Sequence, residues 1–265
     1  MNLDIMYSIN ESTESVAVVK KHIGYVSQTA KSIASILENY NDKNINKNIY
    51  VTHSKPLKES SVSKLQSLGA KIIFDEEQIG PYNRQNVYKH NMGGDYTLVL
   101  DSDTIFLKNP TLFFEKDVYV SPSGSSMISE SAWKKAYDMM GLKYRTQTEN
   151  YFNLYIEGKD IYSHGINNGC ILIKNDIKKD VYDMMKDSQV EFEKSIKIKN
   201  FAGQIFISLL MKKFNWGYLD NKINYYPIPN FKSINIDDIE ILHYRGTRYL
   251  NSFPEIIKIL DRYDP

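Results

Sequence analysis

Short β-type runs alternate with helical patterns through residues 1–120, and no other feature constrains the fold of this chain as strongly. Residues 3–9 (LDIMYSI) read as a first strand. Residues 15–39 place Val18, Val19, Ile23, Val26, Ile33, Ile36 and Leu37 near helical spacing, which predicts a helix or a broken pair of helices. Strands are expected at 48–53 (NIYVTH), 71–75 (KIIFD), 96–100 (YTLVL) and 118–120, and helices at 59–68 and 83–91. Gly69 suits the position just past a helix end. The near-continuous apolar run at 96–100 marks a strand covered on both faces. This order predicts an α/β fold with a mostly parallel sheet flanked by helices. Such sheets bind ligands at the carboxyl ends of their strands.

The second half is more elaborate. Residues 123–163 are polar and weakly periodic apart from a helix around 131–140, and they read as an insertion or lid. A strand at 170–173, helices at 176–188 and 204–214, a late strand at 239–244 and a terminal helix at 254–260 follow. We expect one domain over 1–265, with a nucleotide-binding half at 1–120 and an acceptor or lid half at 121–265.

Composition narrows the function. The chain has 265 residues with 33 basic and 32 acidic side chains, a net charge of +1, which argues against a nucleic-acid binder. One cysteine, Cys170, excludes an internal disulfide framework and a cysteine-based zinc site. No apolar run reaches the ~18–20 residues needed to span a bilayer. The N-terminus carries Asp4 and lacks a basic leader region, so the expected location is the cytoplasm or a cytosolic membrane face.

The run most informative about chemistry is 96–109, YTLVLDSDTIFLKN. A buried strand ends in Asp101-Ser102-Asp103, where the chain must bend before the apolar run 105–107. Two carboxylates one residue apart repel each other, and a hard divalent cation relieves that repulsion while accepting phosphate oxygens. A polar turn or helix cap is the plainer reading of Asp-Ser-Asp, but its place at the end of a buried strand favours the ligand site.

This segment resembles the DxD element of GT-A-fold nucleotide-sugar glycosyltransferases. Asn167-Asn168-Gly169-Cys170-Ile171-Leu172-Ile173 resembles the N-x-G strand of glycosyltransferase family 8 and its relatives. Residues 201–226 are similar to their glutamine-containing helix with the strand and Tyr-rich loop after it. Leu242-His243-Tyr244-Arg245-Gly246 resembles the C-terminal element that supplies a third metal ligand. The resemblance implies that Asp101, Asp103 and His243 hold Mn²⁺ or Mg²⁺, with Asp101 binding the metal, ribose hydroxyls or both. It also implies that Ser102, Arg84, Lys89, Gly246 and Arg248 lie along the nucleotide diphosphate, and that Tyr7, Ser8, Ile9 and Asn10 contact base and ribose. Asn167, Asn168 and Gln204 are expected to hold sugar hydroxyls, with Gln204 under the anomeric carbon if configuration is retained.

One departure bears on the donor. Many relatives carry an acidic residue just before the glutamine; here the positions are Ala202 and Gly203, which leaves the sugar open. No general base is singled out among Glu149, Glu157, Asp160 and His164. The implied activity is metal-dependent transfer of a hexose from a nucleotide diphosphate sugar, most simply a UDP-sugar, to a hydroxyl of a glycan or protein, with retention preferred. The alternatives are a catalytically inactive sugar- or nucleotide-binding protein on the same fold, and a sugar-phosphate nucleotidyltransferase. The latter calls for a glycine-rich basic loop after the first strand, whereas residues 10–14 (NESTE) are acidic and glycine-free. No P-loop, dinucleotide fingerprint or hydrolase elbow is present in the sequence.

Overall fold

The structure is a computed structural model and describes residues 1–9, 24–76, 85–123, 128–196, 198, 202–227, 233–244 and 254–263. Strands β1 (Asn2–Ser8), β2 (Asn46–His53), β3 (Lys71–Phe74) and β4 (Tyr96–Leu100) alternate with helices α1 (Tyr25–Asn39), α2 (Glu59–Ser67) and α3 (Asn86–Lys89). Then come β5 (Thr104–Phe106), β6 (Val118–Pro122), α4 (Glu130–Met139), α5 (Tyr151–Ile156), β7 (Ile166–Lys174), α6 (Asn175–Ile196), α7 (Ala202–Met211), β8 (Trp216–Tyr218), β9 (Ile241–His243) and α8 (Pro254–Arg262).

Seven strands form the central sheet in the order β3-β2-β1-β4-β7-β6-β8. All run parallel except β7, which pairs antiparallel with both β4 and β6. Successive side chains on a strand face opposite ways, and the two core layers follow that alternation. Met6, Tyr50, Val99, Val120, Ile171 and Ile173 pack with α3, α4, α6 and α7 on one face. Leu3, Ile5, Tyr7, Val51, Leu98, Leu100 and Leu172 pack with α1 on the other. A separate two-stranded pair, β5 with β9, packs Ile105 and Leu242 against Ile256 and Leu260 of α8.

The expected α/β architecture with a mostly parallel sheet is what forms. Gly69 sits at φ +82 after α2, and the Ala70 N–H reaches back to the Leu65 carbonyl, a helix end that needs a left-handed residue. Several boundaries move for local reasons. The 204–214 expectation becomes α7, which starts two residues and ends three residues earlier. The predicted 176–188 helix continues to Ile196, because Gln189, Phe192 and Ile196 carry the buried stripe onward. The predicted 170–173 strand begins at Ile166, because β6 resumes its pairing beyond a register shift, Ser121 with Asn167 and Pro122 with Ile166, whereas β4 pairs with it only from Cys170 onward. Residues 15–23 of the first predicted helix lie outside the described residues. α5 was not expected. It is one and a half turns long and opens at Asn150 in the left-handed region (φ 50), so it is too short for a periodic signal. Residues 128–163 are joined to the main body: Trp133, Ala136, Tyr137 and Met140 belong to the larger core cluster.

Candidate active site

The carboxyl edge of the sheet is where the chain leaves β4 for β5, and three separate segments meet there. At the end of β4, the Asp101 N–H donates to the Gly169 carbonyl at 2.9 Å, tying the turn to β7. The Thr104 hydroxyl donates to the Asp101 carbonyl at 2.9 Å, which tightens the Asp101-Ser102-Asp103 turn. β5 then pairs antiparallel with β9, with Thr104 opposite His243, and the Tyr244 N–H donates to the Asp103 carbonyl at 3.0 Å. Short apolar strands flanking a polar turn thus bring His243 beside residues far earlier in the sequence.

The side chains converge accordingly. His243 Nε2 lies 3.2 Å from Asp103 Oδ1 and 3.7 Å from Asp101 Oδ2. One ligand atom from each of the three residues lies within 4.8 Å of the others. The imidazole is buried, whereas Asp101 keeps 33% and Asp103 18% of side-chain exposure, so the carboxylates are in part accessible to solvent. The other ring nitrogen, Nδ1, is 3.0 Å from Asn224 Oδ1. An amide oxygen only accepts, so Nδ1 carries a proton, and Nε2 is the ring nitrogen left to offer its lone pair to a cation held with the carboxylates. Two carboxylate oxygens and one imidazole nitrogen form a donor set that fits a hard or borderline divalent cation such as Mg²⁺ or Mn²⁺.

Gly169 makes this approach possible. A methyl group on its Cα would overlap Cε1 and Nδ1 of the His243 ring. A register shift between Val120 and Ser121 leaves Asn168, Gly169 and Cys170 without β6 partners in the register, while Asn167 Oδ1 accepts the Gly169 N–H at 2.7 Å. Tyr226 closes another side of the imidazole, its ring edge-on at a centroid distance of 6.2 Å.

The remaining residues anticipated for the site fall in different places. Asn168 stands on the β7 segment beside Gly169, half-buried, and its Oδ1 is buried with no hydrogen-bond partner among the described residues. Gln204, in the first turn of α7, donates to the Ile166 carbonyl at 2.9 Å and to Ser123 Oγ at 3.3 Å. β7 is antiparallel, so Ile166 lies at the same sheet edge as Asp101. Ser8 ends β1 next to β4, and Ile9 just beyond it is buried with its N–H on the Thr52 carbonyl. Ser102 donates to Gln28 Oε1 at 3.0 Å. Tyr7 is fully buried, and its hydroxyl pairs with Ser32 Oγ at 2.7 Å. Burial holds that phenol far above its usual ionisation range. Its side chain is therefore part of the floor beneath the site. Lys89 is committed to Asp75, at 2.9 Å, past the end of β3 and so beyond an edge strand three places from β4. The structure does not bring it into the carboxylate–imidazole cluster. Asn10, Arg84, Gly246 and Arg248 lie outside the described residues.

Among the possible bases, Glu149, Glu157 and Asp160 are at the surface. His164 is enclosed: its ring stacks on Trp133 and Tyr144, and Nδ1 lies 3.2 Å from the Tyr137 hydroxyl. Burial, aided by the nearby Lys212, pushes its pKa down to about 4. Sequence reasoning missed Asn224 and Gln28. For Asn224 the signal was an asparagine in a polar turn, a residue type that tolerates the left-handed conformation. For Gln28 it was the polar series Gln28, Ser32, Ser35 at helical spacing on α1.

No family model matches the chain, and no curated protein matches it in sequence. Solved structures do match in fold. The galactosyltransferase LgtC, solved with donor and acceptor sugar analogues, superposes with a TM-score of 0.61 over 98% of this chain and 95% of its own, at 14% identity. Mouse xyloside xylosyltransferase 1 gives 0.55 over 92% and 98%, at 11% identity. The glycosyltransferase GlyE of Streptococcus pneumoniae TIGR4 gives 0.55 over 98% of this chain and 62% of its own, at 13% identity. The mixed α/β architecture, with its seven-stranded, mostly parallel sheet between helices, is that of the GT-A glycosyltransferases. At such identities the likeness is one of fold. No described helix is long and apolar enough to cross a membrane.

Proposed function

We propose that this protein is a metal-dependent glycosyltransferase that moves a hexose from a UDP-sugar to a hydroxyl of a glycan or protein acceptor, with retention of configuration. One observation carries the reading: the convergence of Asp101, Asp103 and His243 at the carboxyl edge of the sheet, in a fold shared with solved glycosyltransferases. Asp103, Asp101 and His243 would hold Mn²⁺ or Mg²⁺. Bound there, the cation would supply Lewis-acid stabilisation for the negative charge that grows on the leaving diphosphate.

The chain's own residues support the rest of the reaction. The partly exposed carboxylates of Asp101 and Asp103 are the groups beside which a diphosphate would lie. Ser8, next to Asp101 along the strand ends, is the described member of the β1 terminus with partial exposure, and we assign it to the nucleoside. Asn168, with a buried carbonyl oxygen unpartnered among the described residues, is suited to accept from a donor-sugar hydroxyl. Gln204 spends its amide hydrogens on Ile166 and Ser123, which fixes the side chain and leaves its carbonyl oxygen as the group to present to the sugar. That arrangement needs no strong base near the acceptor, in keeping with retention. Arg248 and Gly246 are proposed for the phosphates from the sequence resemblance.

The test is UDP release from UDP-hexoses in the presence of Mn²⁺, with wild-type protein and Asp103→Ala. The variant is expected to keep the circular-dichroism spectrum and lose metal-dependent turnover. Wild-type turnover in the variant refutes the metal role, and no turnover of any nucleotide sugar by the wild type favours a binding protein.

A further inference from the structure

We propose that Asn224 is the positioning residue for the His243 imidazole, fixing its tautomer and direction so that Nε2 is a ready cation ligand. The inference rests on reading the carboxylate–imidazole cluster as a divalent-cation site, and it names the residue on which that site's third ligand depends.

Asn224 sits between β8 and β9, 2% exposed, with φ at +58. Its Oδ1 meets His243 Nδ1 at 3.0 Å, and its neighbour Tyr225 accepts the His243 N–H at 2.8 Å. Ring and backbone of His243 are thus gripped by adjacent residues of one segment. Gly169 and Tyr226 wall the ring. The choice of asparagine is costly in two ways. A non-glycine residue is held in the left-handed region, and its Nδ2 is buried with no partner among the described residues. A glycine would make the same turn with neither cost. What glycine lacks is the carbonyl oxygen on Nδ1, and that oxygen determines which ring nitrogen keeps its lone pair.

Two substitutions separate this role from a merely structural one. Asn224→Gly keeps the backbone conformation and removes the acceptor. Asn224→Asp tolerates the same backbone and offers an acceptor that cannot donate. Mn²⁺ affinity of the full chain is read by electron paramagnetic resonance of free Mn²⁺, alone and with UDP, next to circular dichroism for the fold. Asn224→Gly is expected to weaken Mn²⁺ binding by about 10–100-fold, the usual effect of losing a partner behind a metal-bound histidine. Asn224→Asp is expected to bind at least as tightly as wild type. Wild-type affinity in Asn224→Gly, or an equal loss in Asn224→Asp, overturns the proposal. Should Asn224→Gly fail to fold, Asn224→Asp decides alone: retained binding supports the accepting role, and lost binding refutes it. Absence of Mn²⁺ binding by the wild type in both conditions instead removes the cation-site reading, and this inference with it.

Discussion

Three hydroxyls form a relay beneath the carboxylate turn. Thr104 donates its single hydrogen to the Asp101 carbonyl, so at its 3.1 Å contact with Ser32 it can only accept. Ser32 must then donate to Thr104, and Tyr7 must donate to Ser32 at 2.7 Å. The direction of every proton from the core to the turn is therefore fixed. Ser32→Ala removes the middle of this relay and leaves the buried Tyr7 hydroxyl without its acceptor, a loss of about 1–3 kcal/mol. Tyr7→Phe removes only the first donor, which costs about 0.5–1.5 kcal/mol. Urea denaturation of the two variants checks the order, and a larger loss for Tyr7→Phe contradicts the assigned directions.

The same logic extends along α1. Gln28, Ser32 and Ser35 lie on one helix face and meet Ser102, Thr104 and the Phe106 N–H in turn. This helix therefore covers the sheet with its apolar residues and holds the turn with its polar ones. Its Lys31 reaches the Leu260 carbonyl at 2.9 Å, supplying a partner to a carbonyl in the last turn of α8. α4 is fixed differently. Ser129 caps it by accepting from the Ala132 N–H, and Glu130 lies in the first turn with Lys134 one turn on. Ser129→Ala is expected to cost about 1 kcal/mol of stability. The fall in thermal midpoint measures it, and because α4 is packed into the main core the transition should remain single.

Across the whole molecule, the buried basic groups make stability depend on pH. Lys178 donates to the His90 carbonyl, Thr97 Oγ1 and Met6 sulfur, and burial lowers its pKa from 10.5 to about 7 against a smaller opposing pull from Asp4. Lys212, on the carbonyls of Ser163 and His164, is lowered to about 7 as well, by burial and then by Arg145. His164 falls from 6.5 to about 4. For each group the unfolded chain binds more protons than the folded one between the two values, so stability rises with pH across that interval. His164 contributes a loss as pH falls from 6.5 towards 4, and the lysines a gain as pH rises from about 7 towards 10.5. His164→Phe should flatten the acid limb of a plot of denaturation midpoint against pH, and an unchanged limb would show that other groups set it.

The alternation of strand and helix, the double-sided burial of β4 and the turn after it were legible in the chain because hydrophobic periodicity is a local property. So were the residue types of the cluster, since Asp-Ser-Asp after an apolar run and His243 in a late strand can be read off in order. The sequence did not specify that Tyr7 points into the core, that Lys89 answers to Asp75, or that Asn224 stands behind His243. Those facts depend on which strand lies beside which, and on where a ring meets a glycine without a Cβ. Contacts between residues far apart along the chain come into being only when the sheet closes, so no local pattern encodes them one by one.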